Sequence, residues 1–444
     1  MTNTIRRGGR RTVPAAVLGC VLALTATACG DGGGGAGGKG GEGSGKGTIT
    51  FWDNNGGVRT DVWKEIIADF EKKYPDIEVK YVGVPAASVQ SKYDTAIQGG
   101  GLPDVGGVGT AMLAEIAAQG ALEPLDGRIA GSELKGRLNA NFLTSVRSAG
   151  GTGKTYTVPT SANNGTLWYR TDLFAAARLA PPTTWTAFYA AADKLTDRAR
   201  NRFGFTIRGG EGSIAPALDA MYGQSGITSF WNGDRTTVDD PRNVAALEKY
   251  VALYKKDTPS ADVNNDFTKM VAQWDSGTIG MLSHNLGSYT DHQKALPGKF
   301  RGVPNPTLDD GTRVQVSNPV DGLGLFKSGK NKSAAWKFIE FAASHASDSK
   351  WNRVAGQVPA NTEAAQDAWV RASEPTKLAA EALGGTGTRI VQLPYYLPDW
   401  NTLSKAGNEP NFQKVLLGKL GAKAFLDGFA KELNAAQADW KAHH

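Results

Sequence analysis

The chain has 444 residues, a formal net charge of +6, 56 glycines, 11 tryptophans and two cysteines. Charged residues make up 21% and apolar residues 40%, which is ordinary for a globular protein and excludes wholesale disorder. The length predicts two or three domains with ample core. Two cysteines exclude a disulfide scaffold and a thiolate metal cluster.

The first 28 residues have the pattern of an export signal. Arginines precede the apolar run Val13–Leu24, which is too short to span a bilayer as a finished helix. Small residues then stand directly before Cys29, a pattern that resembles a bacterial lipobox, in which the cysteine is lipidated. We predict a lipoprotein signal peptide over 1–28 and lipidation at Cys29. Plain signal-peptidase cleavage is the alternative, and either Sec or twin-arginine export is open.

Much of the basic charge belongs to this signal. Residues 1–28 contain four arginines and no acidic residue, so their removal leaves a formal net charge of +2. A near-neutral body removes the main support for a nucleic-acid partner.

Residues 29–47 are predicted to be a lipid-anchored tether. From Gly30 onward they are mostly glycine and include no apolar residue larger than alanine, so burial cannot offset the entropy of ordering them. A flexible coil of this length spans roughly 20–25 Å. We therefore expect a protein held by lipid at the extracellular face of the cell membrane.

From residue 48 onward, strand-like and helix-like patterns alternate, which predicts an α/β fold with a largely parallel sheet covered on both faces. In such sheets, ligands bind beyond the carboxyl ends of the strands. The predicted strands and helices are listed here: strands at 48–52 and 77–82, and helices at 62–70, 112–119, 185–195, 243–254, 333–343 and 422–436.

No stretch of the sequence matches an enzyme motif in full. The stretch from Ser148 to Thr155 resembles a phosphate-binding loop, but a strand pattern follows it where a helix N-terminus is needed. The histidines lack metal-ligand spacing, and Asp309-Asp310-Gly311 has turn chemistry. We therefore predict no enzyme activity, no metal site and no cofactor.

Aromatic and amide side chains recur in the predicted loops instead. Flat aromatic faces stack on the C–H faces of sugar rings, and planar amides and carboxylates bind hydroxyl groups. Trp400 is the strongest candidate because it follows a segment with two prolines and no helical periodicity, and Trp231 lies in a predicted hairpin. Further candidate stacking residues are Trp52, Trp274, Tyr289 and Tyr395; for any one of them, burial in the core is the alternative.

Several motifs together resemble the extracellular solute-binding proteins of bacterial ABC sugar importers, the family that includes the maltodextrin-binding proteins. They lie in this order between about residues 48 and 440: Ile49–Asp53, Phe70–Val79, Gly101–Val105, Ala118–Leu125, Lys154–Pro159, Leu167–Phe174, Pro181–Trp185, Gly277–Met281 and Ala335–Phe341.

The resemblance implies a type II periplasmic-binding-protein-like fold of two α/β lobes joined by crossover segments near Ser161–Asn164, Asn318–Gly322 and Trp369–Pro375. The implied N-terminal lobe is 48–161 plus 322–370, and the implied C-terminal lobe is 162–321 plus 371–444. It further implies a monomer that closes on an oligosaccharide and delivers it to an ABC transporter permease.

The resemblance also implies the ligand-binding residues, which are listed here with the two tryptophans: Asp53, Asn54, Asn163, Arg208, Trp231, Asn285, Tyr289, Asp321 and Trp400. Where many relatives carry Gly-Pro-Trp, this chain has Asn285-Leu-Gly. Either Tyr289 takes the place of the missing tryptophan or that subsite differs.

Two other functions stay open. A glycoside hydrolase needs two carboxylates about 5–10 Å apart, for which Asp321 and Asp399 are the candidates. A ferric-ion or other small-solute binding protein is the second alternative, because Tyr395-Tyr396 resembles the adjacent tyrosines of ferric-binding proteins.

Overall fold

A computed structural model describes residues 41–443 except 55, 57, 58, 86, 87, 386, 398, 399 and 406. The predicted signal peptide, Cys29 and most of the predicted tether lie outside the described residues, as does Asp399. Within the described part of the chain, no helix combines the length and apolar character needed to cross a membrane.

The strands are β1 (Gly47–Asp53), β2 (Ile77–Gly83), β3 (Val105–Gly107), β4 (Thr157–Ala162), β5 (Gly165–Arg170), β6 (Trp231–Asn232), β7 (Arg235–Thr236), β8 (Met281–Asn285), β9 (Phe300–Pro304), β10 (Arg313–Val316), β11 (Val320–Leu325), β12 (Val358–Pro359) and β13 (Thr388–Val391).

The helices are α1 (Thr60–Lys73), α2 (Val89–Gly99), α3 (Thr110–Ala118), α4 (Asp126–Ala130), α5 (Ala140–Ala149), α6 (Thr171–Ala177), α7 (Trp185–Leu195), α8 (Ile214–Ser225), α9 (Pro241–Val251), α10 (Phe267–Asp275), α11 (Tyr289–Ala295), α12 (Lys332–Ala342), α13 (His345–Ala355), α14 (Ala368–Ala372), α15 (Glu374–Gly384), α16 (Trp400–Leu403), α17 (Glu409–Leu416) and α18 (Ala422–His443). Short 3₁₀ turns lie at Arg198–Arg200, Ser260–Asn264, Leu286–Ser288 and Ala364–Gln366.

The N-terminal lobe is built on a mixed sheet in which six described strands run in the order β12-β4-β11-β3-β1-β2. β1 pairs in parallel with β2 and with β3, whereas β11 runs antiparallel to β3 and β4, and β12 antiparallel to β4. The prediction of a largely parallel sheet is therefore wrong, because three of the five described pairings in this sheet are antiparallel. β11, which follows the return passage from the second lobe, runs opposite to its neighbours β3 and β4.

Helix α1 shows how the sequence builds the core of this lobe. Its predicted apolar face is buried, with Ile66 at 1% and Phe70 at 0% exposure. Phe70 lies edge-on against Phe338 of α12, with ring centroids 5.2 Å apart, and Phe51 of β1 packs against the same ring. The 3.6-residue period thus fixed which face of α1 covers the sheet.

The C-terminal lobe contains a smaller antiparallel sheet, in which the described strands are ordered β8-β5-β9, and a parallel pair, β10 with β13. Helices α7, α8 and α9 contribute to its main apolar core. Trp274 of α10 is fully buried, edge-on to His292, so this candidate stacking residue is part of the core.

The chain passes between the two lobes where one strand ends and the next begins in another sheet. β4 leaves the larger sheet and β5 enters the smaller one after residues 163–164. The return passage occupies residues 317–319, between β10 and β11. A third passage lies between β12 and α15, which packs against β9. The predicted lobe limits stay predictions.

The end of the predicted tether is an ordered part of the body, which corrects the expectation that it stays a free coil up to Gly47. The backbone of Gly41 and Glu42 accepts hydrogen bonds from the first amides of α12, and Glu42 also forms an ion pair with Arg128 at 2.5 Å. Asn331 donates to the carbonyl oxygen of Lys46. Polar contacts to a helix N-terminus supply the attraction that a count of apolar residues misses.

Two local predictions are confirmed. The glycine-rich turn at 151–154 leads into strand β4 rather than into a helix. Trp231 lies in a hairpin, because β6 pairs antiparallel with β7.

Gly204 offers a test of the packing of α7. A Cβ atom at Gly204 would overlap the carbonyl oxygen of Ala192, which is backbone and cannot move aside cheaply. We expect Gly204→Ala to lower the free energy of unfolding by about 2–3 kcal/mol, measured by urea denaturation. Gly99→Ala is the control, because that Cβ would meet open space at the end of α2, and it should be neutral or up to about 1 kcal/mol more stable. Equal effects of the two substitutions would contradict this packing.

Candidate functional site

A cleft of about 680 Å³ lies where the chain passes between the lobes. That volume is within the range of small-molecule sites, roughly 300–1,000 Å³. Most of its walls come from the C-terminal lobe, and Ala111 of α3 reaches it from the N-terminal lobe. Its polar and aromatic lining includes Asn163, Phe205, Arg208, Asp219, Tyr250, Phe267, His284, Asn285, Ser288, Asp291, Asn318, Tyr395, Trp400 and Lys405.

The floor of the cleft is made by the two passages between the sheets. Asn164, which is fully buried, accepts hydrogen bonds from the side-chain amides of Gln315 (3.5 Å) and Asn318 (3.3 Å) through its Oδ1. Next to it, Asn163 lines the cleft, and its buried Oδ1 has no hydrogen-bond partner among the described residues. The predicted ligand residue Asn163 is therefore at the cleft with unused hydrogen-bonding capacity.

The loop that carries Arg208 is held from beneath by a buried carboxylate. Asp262 accepts from the backbone N–H of Ile207 at 2.7 Å, and its own carbonyl accepts from Gly209 at 3.0 Å. Burial raises the pKa of Asp262 to about 7. Arg208, a predicted ligand residue, lines the cleft, and its Nη1 donates to the carbonyl of Gly212 at 3.1 Å.

His284 and Asn285 end strand β8 at the cleft. His284 Nδ1 lies 2.8 Å from Ser288 Oγ, and burial lowers the pKa of His284 to about 4, so the ring is neutral at physiological pH. Asn285 Oδ1 accepts from the backbone N–H of Gly287 at 3.0 Å, which shapes the turn after the strand. The predicted residue Asn285 lines the cleft.

Phe267, the first residue of α10, was not predicted as a ligand residue from the sequence. This residue is 52% exposed and lines the cleft, although it lies on the same helical face as the core residues Met270 and Trp274. That i, i+3, i+7 spacing assigns it to the core. The preceding residue Asp266 is the signal that was available, because its side chain caps the helix at Lys269 N and so puts Phe267 at an exposed helix end.

Trp400 combines a core position with a position on the cleft wall. It is 6% exposed and lies edge-on to both Phe230 and Tyr395, with ring centroids 6.0 Å away in each case. It begins the short helix α16 rather than lying in an extended loop. Tyr395, also at the cleft, donates its hydroxyl hydrogen to the carbonyl of Ser317 in the return passage, at 2.9 Å.

Three of the predicted ligand residues form a polar cluster on the N-terminal lobe. Asp53, at the end of β1, accepts from the Tyr81 hydroxyl at 2.9 Å. Asp321 of β11 interacts with Ser161 (3.4 Å) and with Asn54. Burial raises the pKa of Asp321 above its ordinary value. This cluster is not among the residues that line the cleft.

Two other predicted residues lie elsewhere. Tyr289 stacks on Trp168, with ring centroids 5.8 Å apart and planes at 26°, and packs against a core cluster. Trp231 packs edge-on against Phe230 in its hairpin. Neither lines the cleft in the described structure.

Comparison with known proteins agrees with this architecture. The family model described as bacterial extracellular solute-binding protein matches residues 56–348. The chain belongs to this family.

Among its relatives, a candidate binding protein of Brucella abortus is 27% identical over 380 residues, which cover 84% of this chain and 89% of that protein. The mannitol-binding protein of Pseudomonas aeruginosa is 27% identical over 315 residues, covering 67% and 69%. Among solved structures, the GacH receptor of Streptomyces glaucescens, determined unliganded and with acarbose, matches with a TM-score of 0.71 at 24% identity. That match covers 89% of this chain and 99% of the receptor. The two-lobed fold of the solute-binding proteins is thus shared by this chain.

Asp219 at the cleft provides a pH test. Its carboxylate accepts from Asn305 (2.6 Å) and from the N–H of Val316 (2.9 Å), and burial raises the pKa of Asp219 to about 6. A raised carboxyl pKa means that the folded state binds the proton more tightly, so this contribution to stability is lost as pH rises from about 4 to 6.

We expect the wild type to lose on the order of 3 kcal/mol of unfolding free energy relative to Asp219→Asn over this pH interval, measured by denaturation at successive pH values. Parallel stability curves for the two proteins would contradict the shift.

Proposed function

We propose that the protein binds a carbohydrate, in particular an oligosaccharide, in the cleft between its lobes and delivers it to the permease of an ABC transporter. In this proposal it acts as a monomer at the extracellular face of the membrane, anchored by lipid at Cys29, without a cofactor, a metal ion, a nucleic-acid partner or enzyme activity. The observation that carries the proposal is the cleft itself, which combines planar amides, an arginine and aromatic rings at the crossover between two lobes.

Ligand capture follows from this placement. A solute that contacts Asn163, Arg208 and Asn285 at the cleft, and the cluster of Asp53, Asn54 and Asp321 on the other lobe, binds best when the lobes are close together. Such a ligand shifts the population toward the closed form by its difference in affinity for the two forms. The names of two compared proteins support a carbohydrate: one binds mannitol and the other was crystallised with acarbose.

The tyrosine pair offers little support for the ferric-ion alternative. Tyr395 donates to a backbone carbonyl, and Tyr396 donates to Gln437 at 2.5 Å. Burial raises the pKa of Tyr396 to about 12 and raises that of Tyr395 further. Iron binding requires phenolates, which these surroundings disfavour.

Thermal unfolding against a ligand panel tests the proposal. A ligand at one hundred times its dissociation constant is expected to add about 2.7 kcal/mol of stability. The panel contains cello-, xylo-, malto-, chito- and galacto-oligosaccharides, acarbose and mannitol, with ferric citrate as the control for the metal alternative. If every carbohydrate leaves the melting temperature unchanged, the proposal fails. Turnover of any oligosaccharide would favour the hydrolase instead.

Trp400→Ala tests the aromatic wall. We expect a loss of affinity of about tenfold, because the substitution removes a ring from the cleft lining, together with a loss of stability of about 3–5 kcal/mol. Trp351→Ala is the matched control, since Trp351 is similarly buried at 5% exposure but lies in the N-terminal lobe away from the cleft. It should lose stability and keep its affinity. Affinity unchanged within twofold in Trp400→Ala would remove Trp400 from the site.

A further inference from the structure

Phe267 is unusual among the large apolar side chains of the described chain. Those that are substantially exposed are Phe267 at 52%, Val354 at 60% and Leu417 at 39%, and only Phe267 of these lines the cleft. Exposing a phenyl ring to water costs free energy that burial would recover. A ligand that covers an exposed ring inside the cleft would remove that ring from water and so recover this free energy.

The orientation of this ring is fixed by its neighbours. The Arg208 guanidinium lies 5.6 Å from the ring centroid, and the imidazole of His284 is nearly parallel to it, at 10° and 6.1 Å. His284 is itself positioned by Ser288 through the 2.8 Å contact at Nδ1. The guanidinium thus lies over the ring and the imidazole runs nearly parallel to it, while about half of the Phe267 side chain stays exposed.

This combination suits one class of ligand. A pyranose ring has a face of C–H groups that can lie on an aromatic surface, while its equatorial hydroxyl groups reach outward to donors and acceptors such as Arg208 and Asn285. A linear polyol offers the hydroxyl groups without a rigid apolar face. An aromatic surface therefore favours a pyranose over a linear polyol, whereas amides alone would treat the two alike.

Phe267 also bears on the tryptophan that many relatives carry and that is missing from the Asn285-Leu-Gly stretch of this chain. Tyr289 is stacked on Trp168 and is not among the residues that line the cleft in this structure. Phe267 lies across the cleft wall beside His284, the residue before Asn285. An aromatic ring is thus present at this wall, supplied by a different element.

We propose that Phe267, held by Arg208 and His284, is the stacking platform of a subsite for a pyranose ring, and that the ligand is a cyclic sugar or its oligomer rather than a linear polyol. The inference rests on the proposed carbohydrate-binding function and specifies the class of its ligand.

Calorimetric titration of the wild type and four variants tests this platform. The ligands are the oligosaccharides of the panel above, with mannitol and sorbitol as linear polyols. Phe267→Ala and Phe267→Leu are expected to raise the Kd of the bound pyranoside about tenfold, since leucine keeps apolar bulk but lacks a flat face. Phe267→Trp should bind within threefold of the wild type or more tightly. Leu417→Ala, an exposed apolar residue outside the cleft, is the control and should leave the Kd within twofold.

The outcomes separate this inference from the proposed function. If the wild type binds a pyranoside and Phe267→Ala changes its Kd by less than twofold, the platform is wrong while the carbohydrate function stands. A Phe267→Leu variant that binds like the wild type would show that stacking is not involved. Tight binding of mannitol or sorbitol, unaffected by Phe267→Ala, would overturn the choice of ligand class. Failure of the wild type to bind any carbohydrate would contradict the function itself.

Discussion

The structure depends on a polar constraint at its centre: two neighbouring strands pass from one sheet to another, and there side chains must supply hydrogen bonds that sheet pairing no longer makes. Asn164 meets part of this demand, because its Oδ1 accepts from both Gln315 and Asn318 and so connects the two passages. Ser317 meets another part, since its Oγ accepts from the N–H of Leu393 and its carbonyl from Tyr395. A buried amide without such a partner would cost about 1–3 kcal/mol.

The position and chemistry of the cleft follow from this constraint. Where the chain leaves one sheet for another, sheet pairing stops and side-chain amides take over the hydrogen bonds. The same region therefore has polar groups to spare, as the unpartnered Oδ1 of Asn163 illustrates. In the proposed mechanism the lobes move relative to each other about these passages, so a ligand held there would act directly on the equilibrium between open and closed forms.

Much of the architecture could be predicted from the sequence because local pattern and global fold agree. The helix at Trp185–Leu195 has the predicted limits, and α1 buries its predicted face. Strand direction could not be predicted, since pairing of β11 with β3 and β4 is set by a chain that returns from the other lobe. Ordering of Gly41 and Glu42 was missed because it depends on the N-terminus of α12, almost 300 residues away along the chain.

Residues of the candidate site could be predicted from the sequence where their side chains are polar and so do not fit the pattern of the core. Asn163, Arg208 and Asn285 line the cleft, and as polar residues in loops or at strand ends they do not fit the apolar pattern of the core. Aromatic residues are ambiguous, because the periodicity that places Trp274 in the core equally assigns Phe267 to it. What separates the two is their position along the helix: Phe267 is the first residue of α10 and is exposed, whereas Trp274, two turns later, is buried. Only the three-dimensional course of the chain decides this.

The charge around Arg208 bears on the kind of ligand that the cleft accepts. Burial lowers the pKa of Arg208, whereas the carboxylates of Asp266, Glu409 and Glu211 act in the opposite direction and favour its charged form. One of them, Glu409, also accepts from the backbone N–H of Gly212 at 2.5 Å, where an anionic ligand would otherwise find a donor. The positive charge is thus compensated by the chain itself, while guanidinium N–H groups remain oriented by the loop. Directed donors with balanced charge favour an uncharged hydroxylated ligand over an anion, because an anion would have to compete with three carboxylates.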